Sequence, residues 1–103
     1  MIRHLVALKF RDGTSEVVKA ALMDDLAGLS GQIDGILGFE ARRNVSPEDP
    51  VVRGFRDLFW FDFRDEGVRD AYLVHPAHRA VGARLVAACD GGADGIFVCD
   101  FEP

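Results

Sequence analysis

Tyr72, His75 and His78 fall within the seven residues Tyr-Leu-Val-His-Pro-Ala-His, which hold two of the chain's three histidines. An imidazole can take and give protons near neutral pH. A phenol can donate to a carbonyl oxygen as negative charge develops there. Pro76 suits the first position of a helix, which makes His75 the cap and places His78 in the first turn. The positive end of the helix dipole disfavours a charged imidazole, so His78 reads as a neutral general base. His75 precedes a proline, which biases its backbone away from the helical region, and its ring is assigned to capping. The competing readings are structural: His78 as a packed helix-start residue, and Tyr72 as a core phenol with a hydrogen-bond partner.

Two further residues carry chemical interest by their setting. His4 lies among Ile2, Val6 and Leu8, and Asp57 lies among phenylalanines. A buried carboxylate is costly unless paired. The two residues are placed on strands expected to be neighbours, so a His4–Asp57 pair is expected, either as scaffold or to orient a base. His4, Asp57, His75 and His78 do not make a convincing metal set, because Pro76 interrupts the helix between the last two and no acidic or cysteine cluster completes a shell. There is no glycine-rich phosphate loop and no nucleophile elbow. The segment Asp90–Gly95 lacks the ligand pattern of a calcium loop. No metal and no cofactor are expected.

The elements that must position these groups follow from periodicity. Residues 2–10 alternate as a strand, with Ile2, His4, Val6, Leu8 and Phe10 on one face. Thr14 or Ser15 can cap a helix whose stripe is Val18, Leu22, Leu26, Leu29 and Ile33. Gly35 and Gly38 end it, residues 38–46 form a weaker strand, and Ser46–Val52 is a polar loop. Residues 54–63 are the strongest strand, with Asp57, Phe59, Phe61 and Phe63 facing one way and Leu58 and Trp60 the other. A short helix is expected from Asp65 to Val74, and a second run carries His78, Val81, Leu85 and Cys89 on one side. Ile96–Phe101 closes the chain as a strand.

Strand, helix, strand, strand, helix, strand is the ferredoxin-like split arrangement, an α+β fold with a four-stranded antiparallel sheet and two main helices on one face. The strands are apolar on both faces. The uncovered face therefore calls for a partner, and a two-fold homodimer closing sheet on sheet is the simplest one. The length of 103 residues implies one domain over residues 1–103. A net charge of −5 gives no electrostatic footprint for nucleic acid or an anionic membrane. No run approaches the ~18 apolar residues of a membrane span, and the opening residues read as a strand rather than an export signal. A cytoplasmic protein is expected, with Cys89 and Cys99 as buried thiols outside any disulfide.

The opening strand Met1–Phe10, the Tyr72–His78 stretch and the closing Val-Cys-Asp-Phe resemble the stress-responsive A/B barrel domain family (Dabb), end to end and in order. The resemblance implies a ferredoxin-like protomer and a dimeric α+β barrel. Members include plant stress-associated proteins, uncharacterised bacterial proteins and the plant polyketide enzyme olivetolic acid cyclase. The tyrosine and histidine that serve binding and proton transfer in that cyclase match Tyr72 and His78, its first-strand histidine matches His4, and a third-strand histidine falls at Asp57. The expected site is thus an apolar pocket walled by Phe59 and Phe61, with Tyr72, His78, His4 and Asp57 at its polar end. The expected function is a cofactor-free cyclase or lyase acting on a small, partly apolar carbonyl compound. The alternatives are a non-catalytic stress-related or ligand-binding dimer and, on fold analogy alone, a monooxygenase.

Overall fold

The computed structural model describes all 103 residues. Its strands are β1 (Ile2–Leu8), β2 (Ile36–Arg43), β3 (Asp57–Phe63) and β4 (Ile96–Phe101). Its helices are α1 (Glu16–Gly28), α2 (Asp49–Val52), α3 (Glu66–Val74) and α4 (Pro76–Ala88). The sheet order is β2-β3-β1-β4, with every pairing antiparallel. This is the ferredoxin-like order, with β1 and β3 central and α1, α3 and α4 packed on one face.

The local causes are legible residue by residue. Ser15 caps α1 by accepting from the Val18 amide at 3.2 Å, and Asp65 caps α3 by accepting from Val68 at 3.0 Å. Pro76 opens α4, and His75 caps it by accepting from the Ala77 amide through Nδ1 at 3.1 Å. This is the capping role that its place before a proline implied. Gly35 turns the chain into β2 at φ +89°, and a Cβ there would come within 2.5 Å of the Val68 side chain. Both conformation and space therefore require glycine.

Several boundaries differ from the pattern reading. β2 begins at Ile36 rather than residue 38, because Gly38 sits inside the strand at a register shift. The loop after β2 contains α2, whose Val52 is buried. Val18, in the first turn of α1, is exposed, so the buried stripe starts at Leu22. Cys89 is buried as expected, but Cys99 is exposed, and both thiols are free. The reason is position: Cys99 points outward from β4, an edge strand on a face that no helix covers.

The core lies between the inner sheet face and the helices. Phe59, Phe61 and Phe63 of β3 are all essentially inaccessible, together with Leu8, Leu26, Leu29 and Tyr72. On the outer face, Phe97 and Phe101 stay exposed. Trp60 there lies between the guanidinium groups of Arg3 and Arg42, at 5.4 and 5.6 Å from its ring. Arg3 also forms a two-bonded pair with Asp62, directly opposite it on β3, at 2.9 and 3.1 Å.

Candidate functional site

The helices leave the β4 side of the inner face partly open. Val98 points inward yet stays half exposed, because the helices do not fully cover the edge strand. The result is a cleft of about 500 Å³ between β4 and the α3–α4 pair. Val6, Phe59, Leu85, Val86, Ile96 and Val98 wall it. His4, Arg69, Asp70, Tyr72, His78 and Asp100 gather at its polar end.

β1 brings His4 to this end, and the register with β4 sets Asp100 directly opposite. The His4 Nδ1 and an Asp100 carboxylate oxygen are 2.6 Å apart. An ionised carboxylate only accepts, so Nδ1 carries a proton, and whenever the ring is neutral Nε2 keeps its lone pair. The second Asp100 oxygen accepts from Arg69 at 3.2 Å. Tyr72 reaches the site from α3. Its ring meets His4 edge-on at 5.6 Å and lies over His78 at 3.9 Å with 33° between the planes. Burial, and then the charge of Asp100, push the Tyr72 phenol well above its ordinary value. It therefore remains a hydrogen-bond donor at any physiological pH.

His78 occupies the first turn of α4, as its spacing from Pro76 requires. Burial pushes its imidazole below the ordinary histidine value, partly opposed by the backbone of Leu73. The neutral form inferred from the helix dipole is therefore also favoured by desolvation. Its Nδ1 is buried without a hydrogen-bond partner. Most buried polar atoms are satisfied, and the backbone of Leu73 is the group that acts on this ring from within the fold.

The expected His4–Asp57 pair does not form. Asp57 lies opposite Leu8, while His4 lies opposite Phe61. Four residues of strand separate the two positions, roughly 13 Å along the sheet. Asp57 instead takes Lys19 at 3.3 Å and Arg43 at 3.5 Å, in a separate cleft of about 370 Å³ beside α1. It stands outside the His4–Tyr72–His78 group. Phe59 lines the cleft beside His4, Tyr72 and His78, as expected. Phe61 does not: it is fully enclosed beneath the Tyr72 ring, at 5.0 Å.

Asp100 and Arg69 were missed by the sequence reading, although a signal for Asp100 existed. It continues the inward alternation of Ile96 and Val98, and ferredoxin-like order makes its strand a neighbour of β1. No group of three or more histidine, cysteine or acidic residues is placed to hold a metal ion. No helix is long and apolar enough to cross a membrane.

The family model described as the stress responsive A/B barrel domain (Dabb) matches residues 2–103. The chain belongs to that family. Among Dabb relatives, the Arabidopsis thaliana stress-response A/B barrel domain-containing protein HS1 is 26% identical over 102 residues, covering 99% of this chain and 89% of its own. A solved structure from Jannaschia, described as a dimeric ferredoxin-like protein of unknown function, is 34% identical with a TM-score of 0.87 and covers 99% and 98% of the two chains. The hydroxynitrile lyase of Passiflora edulis shares the fold at a TM-score of 0.81 and 16% identity, over 97% of this chain and 90% of its own. At that identity the likeness is one of fold.

Proposed function

We propose that this Dabb domain is a cofactor-independent proton-transfer catalyst of the lyase or cyclase type, acting on a small, uncharged, partly apolar carbonyl compound. The observation that carries the reading is the His4–Asp100 pair at 2.6 Å, beside a protonated Tyr72 in an apolar cleft. Of the two cleft imidazoles, only His4 has a carboxylate behind it. The base role that the sequence gave to His78 is therefore assigned to His4. His4 Nε2 takes a proton from the carbon next to the carbonyl. The Tyr72 hydroxyl donates to the oxygen as it gains charge. The imidazolium of His4 then returns its proton to the product, with the neutral His78 ring packed against Tyr72 at 3.9 Å to hold the phenol in place. In lyase chemistry the electron pair left at carbon or oxygen expels the leaving group. In cyclase chemistry it attacks a second carbonyl of the same molecule.

The test uses uncharged aryl and alkyl ketones, such as acetophenone, in deuterium oxide. The protein should speed loss of the proton signal next to the carbonyl beyond buffer alone, as followed by proton NMR. Ketones that shift the His78 and Tyr72 signals with no accelerated exchange would instead establish the second reading, a ligand-binding protein without turnover. The stress-response description carried by HS1 is what favours that alternative.

We also propose that the chain works as a homodimer closed through the outer sheet face, as the exposed Phe97 and Phe101 and the dimeric Jannaschia relative suggest. Light scattering of dilute protein should give twice the chain mass. Trp60→Asp should shift it toward the monomer, because the new carboxylate would be buried against the partner beside Asp62. A Trp60→Asp protein that stays dimeric at micromolar concentration would place the interface elsewhere.

A further inference from the structure

Arg69 lies on α3 at the mouth of the cleft, with its side chain three-quarters covered. Its Nη1 donates to one oxygen of Asp100 at 3.2 Å, while the other oxygen of that carboxylate meets His4 Nδ1 at 2.6 Å. Its Nε donates to Asp70 at 3.1 Å. Arg69 thus bridges two acids, one exposed and one holding the His4 ring. Asp100 comes from an edge strand, and its residue is exposed at the cleft rim. Without a second partner, its carboxylate would be held by His4 alone.

We propose that Arg69 is a positioning residue for the His4–Asp100 pair: its guanidinium fixes the carboxylate on His4 Nδ1 and offsets part of that carboxylate's charge, so that Nε2 is left free to accept a proton. The inference rests on the catalytic reading of the cleft for its purpose, but its geometry does not. The charged and titratable groups that face His4 are Asp100 from β4, Tyr72, Arg69 and Asp70 from α3, and His78 from α4. Arg3, next to His4 in sequence, and Asp62, opposite Arg3 on β3, bond each other on the opposite sheet face. Arg69 is therefore the one permanent cation on the His4 side of the cleft.

The charge role of Arg69 is read in the His4 titration. Removing the cation leaves Asp100, still in its 2.6 Å contact with His4 Nδ1, uncompensated and favours the imidazolium form of His4. The NMR titration of the His4 ring in labelled Arg69→Gln protein should move upward by about one pH unit. Arg69→Lys, which keeps the charge but loses the forked geometry, should return most of that shift. In the ketone exchange assay, the low-pH limb of Arg69→Gln should move upward by the same amount. A merely structural arginine would change stability and leave the titration alone. An unmoved His4 signal in folded Arg69→Gln protein overturns the proposal. The titration needs no substrate, so its failure is distinguishable from failure of the catalytic reading. A shifted His4 in a protein that never exchanges ketone protons supports the positioning role and removes only the lyase or cyclase assignment.

Discussion

Asp100→Asn should lower ketone proton exchange by about 10²–10⁴-fold, the range expected when general-base catalysis is lost, while the protein remains folded. The substitution keeps the shape of the side chain but removes the charge behind His4. An amide can also present its NH₂ group to Nδ1. That would drive the His4 proton to Nε2, the atom that must accept from substrate. The wild-type carboxylate permits only one arrangement at its 2.6 Å contact with Nδ1. His4→Gln should fall to the same level, and the double variant should fall little further, because the two residues act as a unit. The measurement is the exchange rate at saturating ketone, with circular dichroism as the check on folding. Exchange in Asp100→Asn within threefold of wild type would mean that His4 is not the base. His78 would then be the remaining imidazole in the cleft.

Phe61→Ala should be the most damaging single truncation in the core. Phe61 is fully enclosed on the central strand β3. Its ring lies 4.9 Å from Phe39, 5.0 Å from Tyr72 and 5.6 Å from Phe63, the last nearly parallel. Removing it should cost about 3–5 kcal/mol, from lost apolar transfer and an unfilled cavity. Domains of this size have roughly 5–15 kcal/mol in total, so Phe61→Ala should be partly unfolded at 37 °C. The site should suffer with the core. Tyr72 rests on Phe61 and Phe63, and the loss of one support loosens the phenol that faces the substrate oxygen. Urea unfolding gives the number, and an unchanged slope with a much lower midpoint would show that only stability moved. Trp60→Ala on the outer face is the comparison, and in the monomer it should cost far less. A Phe61→Ala midpoint close to that of wild type would contradict the packing described.

The sequence determined the backbone plan and the rough address of the chemistry. Period-2 alternation marks the strands that form over Ile2–Leu8 and Asp57–Phe63, because successive side chains leave opposite faces of a strand. Pro76 is favoured at the first position of a helix, which makes His75 its cap and places His78 in its first turn, as the structure shows. Tyr72 stands one helical turn after Val68, and both are buried. These are local facts, set by dihedral angles and helical repeat. The exposed apolar residues outside the sheet were also legible, since a face of leucine, tryptophan and phenylalanine is apolar before anything folds.

Tertiary structure alone decided which acid meets which base. His4 had two inward-facing carboxylates on neighbouring strands as candidates, Asp57 and Asp100. Alternation puts all three on one sheet face but says nothing of how far each strand slides along the next. Register settles it: β1 pairs His4 with Asp100 on one side and with Phe61 on the other. That register is fixed by packing, which must bury Phe59, Phe61 and Phe63 together under the helices. Asp57 is thereby carried to the far end of the sheet, where Lys19 meets it from α1. The cleft likewise has no local signature. It exists because the helices do not fully cover the edge strand β4, leaving an inward-facing Val98 and Asp100 to border open space.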